Sequence, residues 1–175
     1  STRLLQHVLS THQLSEQEHE SLLMHLQHIH FLSHQHEVVV NQKYPNQFKY
    51  QLPEIVINLY FIKAFSATLT RQFDVAKECF NLAGIHAAMP VDDENTLYQL
   101  NLLALYHLLK GEMELAFSLE RRLNQYLEAN KVTSVAMNYV VLINIARLYK
   151  KSQDLDQSFY FYEKAYKHIR ACGFT

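Results

Sequence analysis

Histidine is the residue type in this sequence that is concentrated enough to suggest chemistry. Eight of the eleven histidines lie between His7 and His36, and His30 and His34 are one helical turn apart with Glu37 three residues later. Two imidazoles and a carboxylate on one face of a helix have the spacing of zinc or nickel ligands. The alternative is that histidine replaces other polar residues on a solvated helix rich in Gln and His. Because there is no His-Glu-x-x-His motif and no second ligand-rich helix, we favour this alternative and predict no metal and no other cofactor.

Other residues with chemical potential do not form a catalytic set. The sequence has no glycine-rich phosphate loop, no Gly-x-Ser-x-Gly turn and no kinase or dinucleotide fingerprint. The acidic pair Asp92 and Asp93 falls at a predicted helix start, where the helix dipole explains it. Cys79 has no activating base nearby in sequence, and we interpret it and Cys172 as free thiols rather than a disulfide. The sequence therefore predicts that the protein is not an enzyme.

The elements that position these residues are predicted to be helices. Only 3 glycines and 3 prolines occur among 175 residues, too few for the turns of a sheet protein. Hydrophobic spacing and capping residues predict an all-α protein. The predicted helices are Arg3–His12, Glu16–Asn41, Pro53–Thr70, Asp74–His86, Glu94–Lys110, Met113–Asn130, Ser134–Lys150 and Leu155–Ala171.

Small residues recur along the chain at a nearly fixed period. Ala64, Ala104 and Ala146 lie 40 and 42 residues apart, and another small residue follows each of them twelve positions later. Such a period is typical of stacked two-helix units, because one pair of helices cannot bury its apolar face alone. Small residues are needed where paired helices cross, since bulky ones would push the axes beyond the usual ~8–10 Å.

The repeats resemble the tetratricopeptide repeat family, in a longer variant of about forty residues. The resemblance covers residues 57–170 and rests on the small residues together with aromatic residues at set distances from them. In the second helices these are Ala76-Phe80-Ala83 and Ser158-Tyr162-Ala165, with Ala116-Glu120-Leu123 departing from the pattern. The resemblance implies a right-handed superhelical α-solenoid of helix pairs at 53–86, 94–130 and 134–172. A helical cap at 1–41 would precede them, all within a single domain of residues 1–175.

In this family the first helix of each repeat lines a concave groove that binds a protein or peptide. Carried over to this sequence, the groove comprises Asn58, Phe61, Phe65 and Thr68; Tyr98, Asn101, Leu105 and Leu108; and Val140, Ile143, Arg147 and Lys150. Asparagine side chains can pair with a peptide backbone, while Arg147 and Lys150 can hold a carboxylate. The family's carboxylate clamp for chaperone tails is not reproduced.

We interpret the chain as a protein- or peptide-binding module, because repeats of this length resemble those attached to bacterial signalling proteins. It would be the sensor or scaffold part of a larger regulatory protein, and a metal-binding histidine protein is the least favoured alternative. A net charge of -1 and a pI near 6.8 exclude nucleic acid or an anionic membrane as the main partner. With no apolar run of about 18 residues and no signal peptide, we expect a cytoplasmic protein.

The other alternative is a structural domain that associates with itself. On the last helix, Leu155, Phe159, Tyr162 and Tyr166 form one stripe that we expect to pack inward. Tyr160 and Phe161 fall off that stripe. We therefore expect these two rings to be exposed and to form the contact of a homodimer.

Overall fold

A computed structural model describes residues 2–11, 14–130 and 135–173 of the chain. Every regular element in these ranges is an α-helix, which confirms the predicted all-α class. In chain order the helices are α1 (Thr2–Thr11), α2 (Glu16–Leu32), α3 (His36–Asn41), α4 (Pro53–Leu69), α5 (Phe73–Leu82), α6 (Glu94–Lys110), α7 (Met113–Asn130), α8 (Val135–Lys151) and α9 (Leu155–Ala171). Within the described ranges, no helix has the length and apolar character needed to cross a membrane.

The chain divides into two compact units, residues 1–84 and residues 85–175. In unit 1, α4 packs against α2, α3 and α5, around a core that includes Leu23, Leu26 and Leu59. In unit 2, α7 packs against α6 and α8, α8 packs against α9, and α6 also contacts α8. The predicted single domain of residues 1–175, with its cap and three repeats, stays a prediction.

The predicted packing of small residues is confirmed. Ala64, Ala104 and Ala146 on the first helices are at most 1% exposed, and their partners Ala76 and Ala116 are fully buried. In the last pair, Ser158 replaces the second alanine and its hydroxyl donates to the Ala146 carbonyl oxygen at 2.9 Å. Each of these positions faces the partner helix because a side chain this small allows the two helices to approach closely.

The same turn closes α2, α4, α6 and α8. In each turn one residue is left-handed, and the N–H of the next residue donates to a carbonyl five positions back, which is a Schellman motif. The left-handed residues are His34, Arg71, Gly111 and Gln153, with φ of 55°, 59°, 94° and 65°. The hydrogen bonds that close the turns run from backbone N–H to carbonyl oxygen: Gln35 to His30 (2.9 Å), Gln72 to Ala67 (2.8 Å), Glu112 to His107 (2.9 Å) and Asp154 to Tyr149 (3.0 Å).

The first of these turns overturns one helix prediction. Residues 16–41 were predicted as a single helix, yet the structure has α2 and α3 separated at Ser33, His34 and Gln35. The left-handed conformation of His34 redirects the chain there, and no glycine marks the break. The α2–α3 segment therefore ends its first helix in the same way as the three pairs that follow it.

The inward face of α9 also differs from the predicted one. Leu155, Phe159 and Tyr166, expected to pack inward, are 66%, 69% and 59% exposed. Ser158 and Ala165 are buried instead, and Phe161, expected to be exposed, stacks on Tyr149 with ring centroids 5.5 Å apart. Because Ser158 must meet Ala146, the small residues decide which of two neighbouring stripes faces the core.

Candidate binding face on helices α6 and α8

Three polar side chains connect α6 and α8 on one side of unit 2. The buried Asn144 amide nitrogen donates to Asn101 Oδ1 at 2.9 Å. The exposed Arg147 Nη1 donates to Asn144 Oδ1 at 3.4 Å. The hydrogen-bonded chain thus leads from a half-buried amide on α6 to a guanidinium group in solvent.

The apolar residues predicted for the groove lie beside this chain. On α6, Tyr98 is 42% exposed, and Leu105 is half-buried against the cluster formed by Leu108, Ala116 and Leu148. On α8, Val140 and Ile143 are half-buried. Each helix presents these side chains on one face, because the positions are three or four residues apart. We call the surface formed by Tyr98, Asn101, Leu105, Ile143, Arg147 and Lys150 the α6–α8 face.

Two cations on this face have no acidic partner among the described residues. Arg147 and Lys150 are exposed and form no ion pair in that part of the chain. Their neighbours are occupied: Lys110 Nζ is 2.7 Å from Glu112 Oε1, and Lys151 Nζ donates to the Leu108 carbonyl at 2.7 Å. Hydrogen bonds from Lys110 and His107 lower the pKa of Glu112. Arg147 and Lys150 are therefore the cations of this face that remain available for an anionic ligand.

The groove positions on α4 lie in unit 1. Asn58 is exposed, Phe61 is half-buried, and the Phe65 ring packs edge-on against Phe31 at 5.4 Å. Two positions expected to line the groove are wrong, since Thr68 and Leu108 are buried at 0% and 6% exposure. Thr68 and Leu108 occupy equivalent positions, because each follows the residue whose carbonyl oxygen accepts the hydrogen bond that closes the Schellman turn. Leu108 shows the reason, because its side chain contacts Ala116 of the partner helix.

The two histidines with metal-ligand spacing, His30 and His34, differ in their surroundings. His30 is 3% exposed and its Nδ1 is 2.6 Å from Gln35 Oε1. His34 lies beyond the helix end, where its ring contacts that of His36 at 5.9 Å. The interruption removes His34 from the helical phase that would place it above His30. No group of three His, Cys, Asp or Glu side chains within the described ranges could hold a metal.

The thiol groups are free, and Cys79 is buried while Cys172 is exposed. Burial raises the pKa of the Cys79 thiol to about 11, although Lys63 nearby opposes the effect. A thiol with this pKa stays protonated at neutral pH and is a weak nucleophile.

Glu120 on α7 is a buried carboxyl group beside Asn144. It is 1% exposed. Burial raises the pKa of the Glu120 carboxyl well above its ordinary value, and the Asn144 amide nearby opposes only part of this effect. Burial thus favours the neutral form of this carboxyl group, which lies beside the residue that connects α6 to α8.

Sequence reasoning assigned no role in the site to Asn144 or Glu120. Asn144 follows Asn101 by 43 residues, which is one more than the repeat of 42. This offset of one residue places the two asparagines on the sides of α6 and α8 that face each other. Glu120 occupies the position at which the other pairs have Phe80 and Tyr162. A charged residue at an otherwise aromatic position was the signal in the sequence.

Known proteins give no further information about the binding face. Comparisons with protein families, with curated proteins and with solved structures find no match to the chain. The resemblance to tetratricopeptide repeats accordingly rests on the residue pattern of this sequence.

Proposed function

We propose that this protein binds a protein or peptide partner through the α6–α8 face. The observation that carries the proposal is the hydrogen-bonded chain from Asn101 through Asn144 to Arg147, which joins two helices and ends at a cation that has no ion pair among the described residues. A side chain held by its neighbours loses little conformational freedom when a ligand binds.

The chemistry of the face favours an extended segment with a carboxylate. The Asn101 amide accepts from Asn144 through its oxygen, and its NH₂ group can donate to a peptide carbonyl. Tyr98, Leu105 and Ile143 provide an apolar surface for neighbouring side chains. Arg147 and Lys150 would hold an acidic side chain or a C-terminal carboxylate through charge-assisted hydrogen bonds.

The helix pairs are proposed to stack as a right-handed α-solenoid of tetratricopeptide type. The shared Schellman turns and the contact of α6 with α8 support this arrangement. By the same resemblance, the protein would be the sensor or scaffold part of a larger cytoplasmic regulatory protein.

Peptide binding tests the proposal directly. Fluorescence anisotropy on a library of decapeptides with free C-terminal carboxylates should identify a ligand, and amidation of its C-terminus should report whether that carboxylate is used. The double substitution Arg147→Ala with Lys150→Ala should weaken binding of the ligand at least tenfold without loss of helical circular dichroism. The matched control is Arg121→Ala with Lys77→Ala, which removes the same charge from exposed positions away from this face. Equal weakening by both pairs would indicate non-specific charge attraction and contradict the proposed face.

A further inference from the structure

An apolar stripe runs along the solvent side of α9. Leu155, Phe159 and Tyr166 are each more than half exposed, and with the half-buried Tyr162 and Ile169 they are spaced four, three, four and three residues apart. This is the heptad spacing by which one helix packs along another. Aromatic side chains arranged in this way on a surface mark a contact with another molecule.

The preceding helix pair shows what such a stripe contacts. Met113 and Phe117 on α7 lie 42 residues before Leu155 and Phe159, so they occupy the same positions in the repeat. Both pack against the core cluster that includes Leu148 of α8, and the Phe117 ring lies 5.0 Å from that of Tyr149. In α7 this stripe is covered by a helix, whereas in α9 it is exposed to solvent.

The charges beside the stripe identify the helix that fits it. Asp156 and Arg170 flank the stripe, each seven residues from Glu163, and neither forms an ion pair within the described part of its own chain. If a second α9 runs antiparallel about a two-fold axis beside Glu163, Asp156 of each copy faces Arg170 of the other. Glu163 then lies near the axis, where its own Lys167, at 2.9 Å, balances its charge. The charge pattern is thus complementary to itself, as a two-fold interface requires.

We propose that the stripe of Leu155, Phe159, Tyr162, Tyr166 and Ile169 is a self-association surface on which α9 pairs antiparallel with α9 of a second copy. This differs from the contact expected from the sequence, since Phe161 is packed on Tyr149 and Tyr160 lies to one side of the stripe. A single helix of 17 residues makes a small interface, so the dimer should be weak, with a Kd on the order of tens of micromolar.

Sedimentation velocity across a range of concentrations measures the pairing. The wild-type chain should show a reversible monomer–dimer equilibrium, and Phe159→Glu should raise the dimer Kd at least tenfold. Tyr160→Glu is the matched control. Tyr160 is 53% exposed and lies off the stripe, so this substitution introduces the same charge one residue away from Phe159. Its Kd should stay within twofold of wild type. A wild-type chain that is monomeric at several hundred micromolar would overturn the proposal, as would a dimer that Phe159→Glu leaves unchanged.

Charge reversal tests the antiparallel direction. Asp156→Arg places two cations opposite each other at both ends of the pair, and Arg170→Asp places two anions there, so each variant alone should dimerise more weakly. An equimolar mixture of the two should form a heterodimer at least as tight as the wild-type dimer, because both contacts again join opposite charges. Mixed variants that fail to associate would overturn the antiparallel pairing.

Discussion

A carboxyl group inside a protein lowers stability when nothing in its surroundings replaces the water it has lost. Glu120 is close to this situation, because it is buried on α7 and the neighbouring Asn144 amide offsets only part of the lost hydration. Its burial favours the neutral form, so its pKa is raised in the folded state. Because the folded state must hold this proton, its stability relative to the unfolded state decreases as the pH rises.

This leads to a prediction about stability and pH. Between pH 4.5, the ordinary value, and its raised folded-state pKa, Glu120 is ionised when the chain is unfolded but still protonated when it is folded. The folded state binds more protons there, so the free energy of unfolding should fall as the pH rises toward the folded-state pKa, by about 1.4 kcal/mol per pH unit. Glu120→Gln removes this titration and should stabilise the protein little at pH 4.5 and progressively more as the pH rises toward the folded-state pKa of Glu120.

Urea unfolding followed by circular dichroism measures the effect. Glu114→Gln, on the same helix but exposed, is the control and should show no such trend. A stability difference between Glu120→Gln and wild type that is the same at pH 4.5 and pH 8 would mean that Glu120 is already ionised in the folded protein.

Helix pairs depend on small residues at their crossing points. Ala146 on α8 is fully buried, and its carbonyl accepts a hydrogen bond from Ser158 on α9. Ala146→Phe should destabilise the protein by about 1–3 kcal/mol, because the ring would force the two helices apart. Ala136→Phe, at an exposed position of the same helix, should leave the free energy of unfolding nearly unchanged. If the two variants have equal stability in urea, Ala146 is not at the point of closest approach.

At the scale of the helices, the sequence predicts the features that depend on the spacing of nearby residues. Most helix boundaries and the buried small residues follow from residues a few positions apart, and they were predicted correctly. The break at His34 was not, since a left-handed residue other than glycine is stabilised by the hydrogen bonds of its turn rather than by its own preference. The face of α9 was also wrong, because two overlapping stripes have equivalent spacing and only contact with Ala146 distinguishes them.

Prediction of the binding face from the sequence is also limited, because some of its contacts join residues far apart in the chain. Asn101, Arg147 and Lys150 could be placed on one face from the resemblance to a known repeat. The bond from Asn144 to Asn101 spans 43 residues, and the burial of Glu120 depends on three-dimensional packing. Neither property is encoded in the local pattern around the residue.

At the scale of the whole molecule, the division at residue 84 predicts how instability spreads. Each unit has its own buried core, so a defect in one should leave local opening in the other unchanged. Hydrogen exchange followed by mass spectrometry should show faster exchange in α6 to α9 of Ala146→Phe, with α2 to α4 exchanging as in wild type. Equal acceleration in both units would support the single cooperative domain predicted from the sequence.

The four Schellman turns bear on how the chain acquires its structure. The hydrogen bond that closes each turn joins residues only five positions apart, and the helices on either side then meet with short connections. Contacts this close in sequence need little loop closure, which is the condition for rapid folding. During synthesis the turn at His34 can close before the residues around Gly111 have left the ribosome. Folding can therefore begin locally at each turn, in order from the N-terminal end.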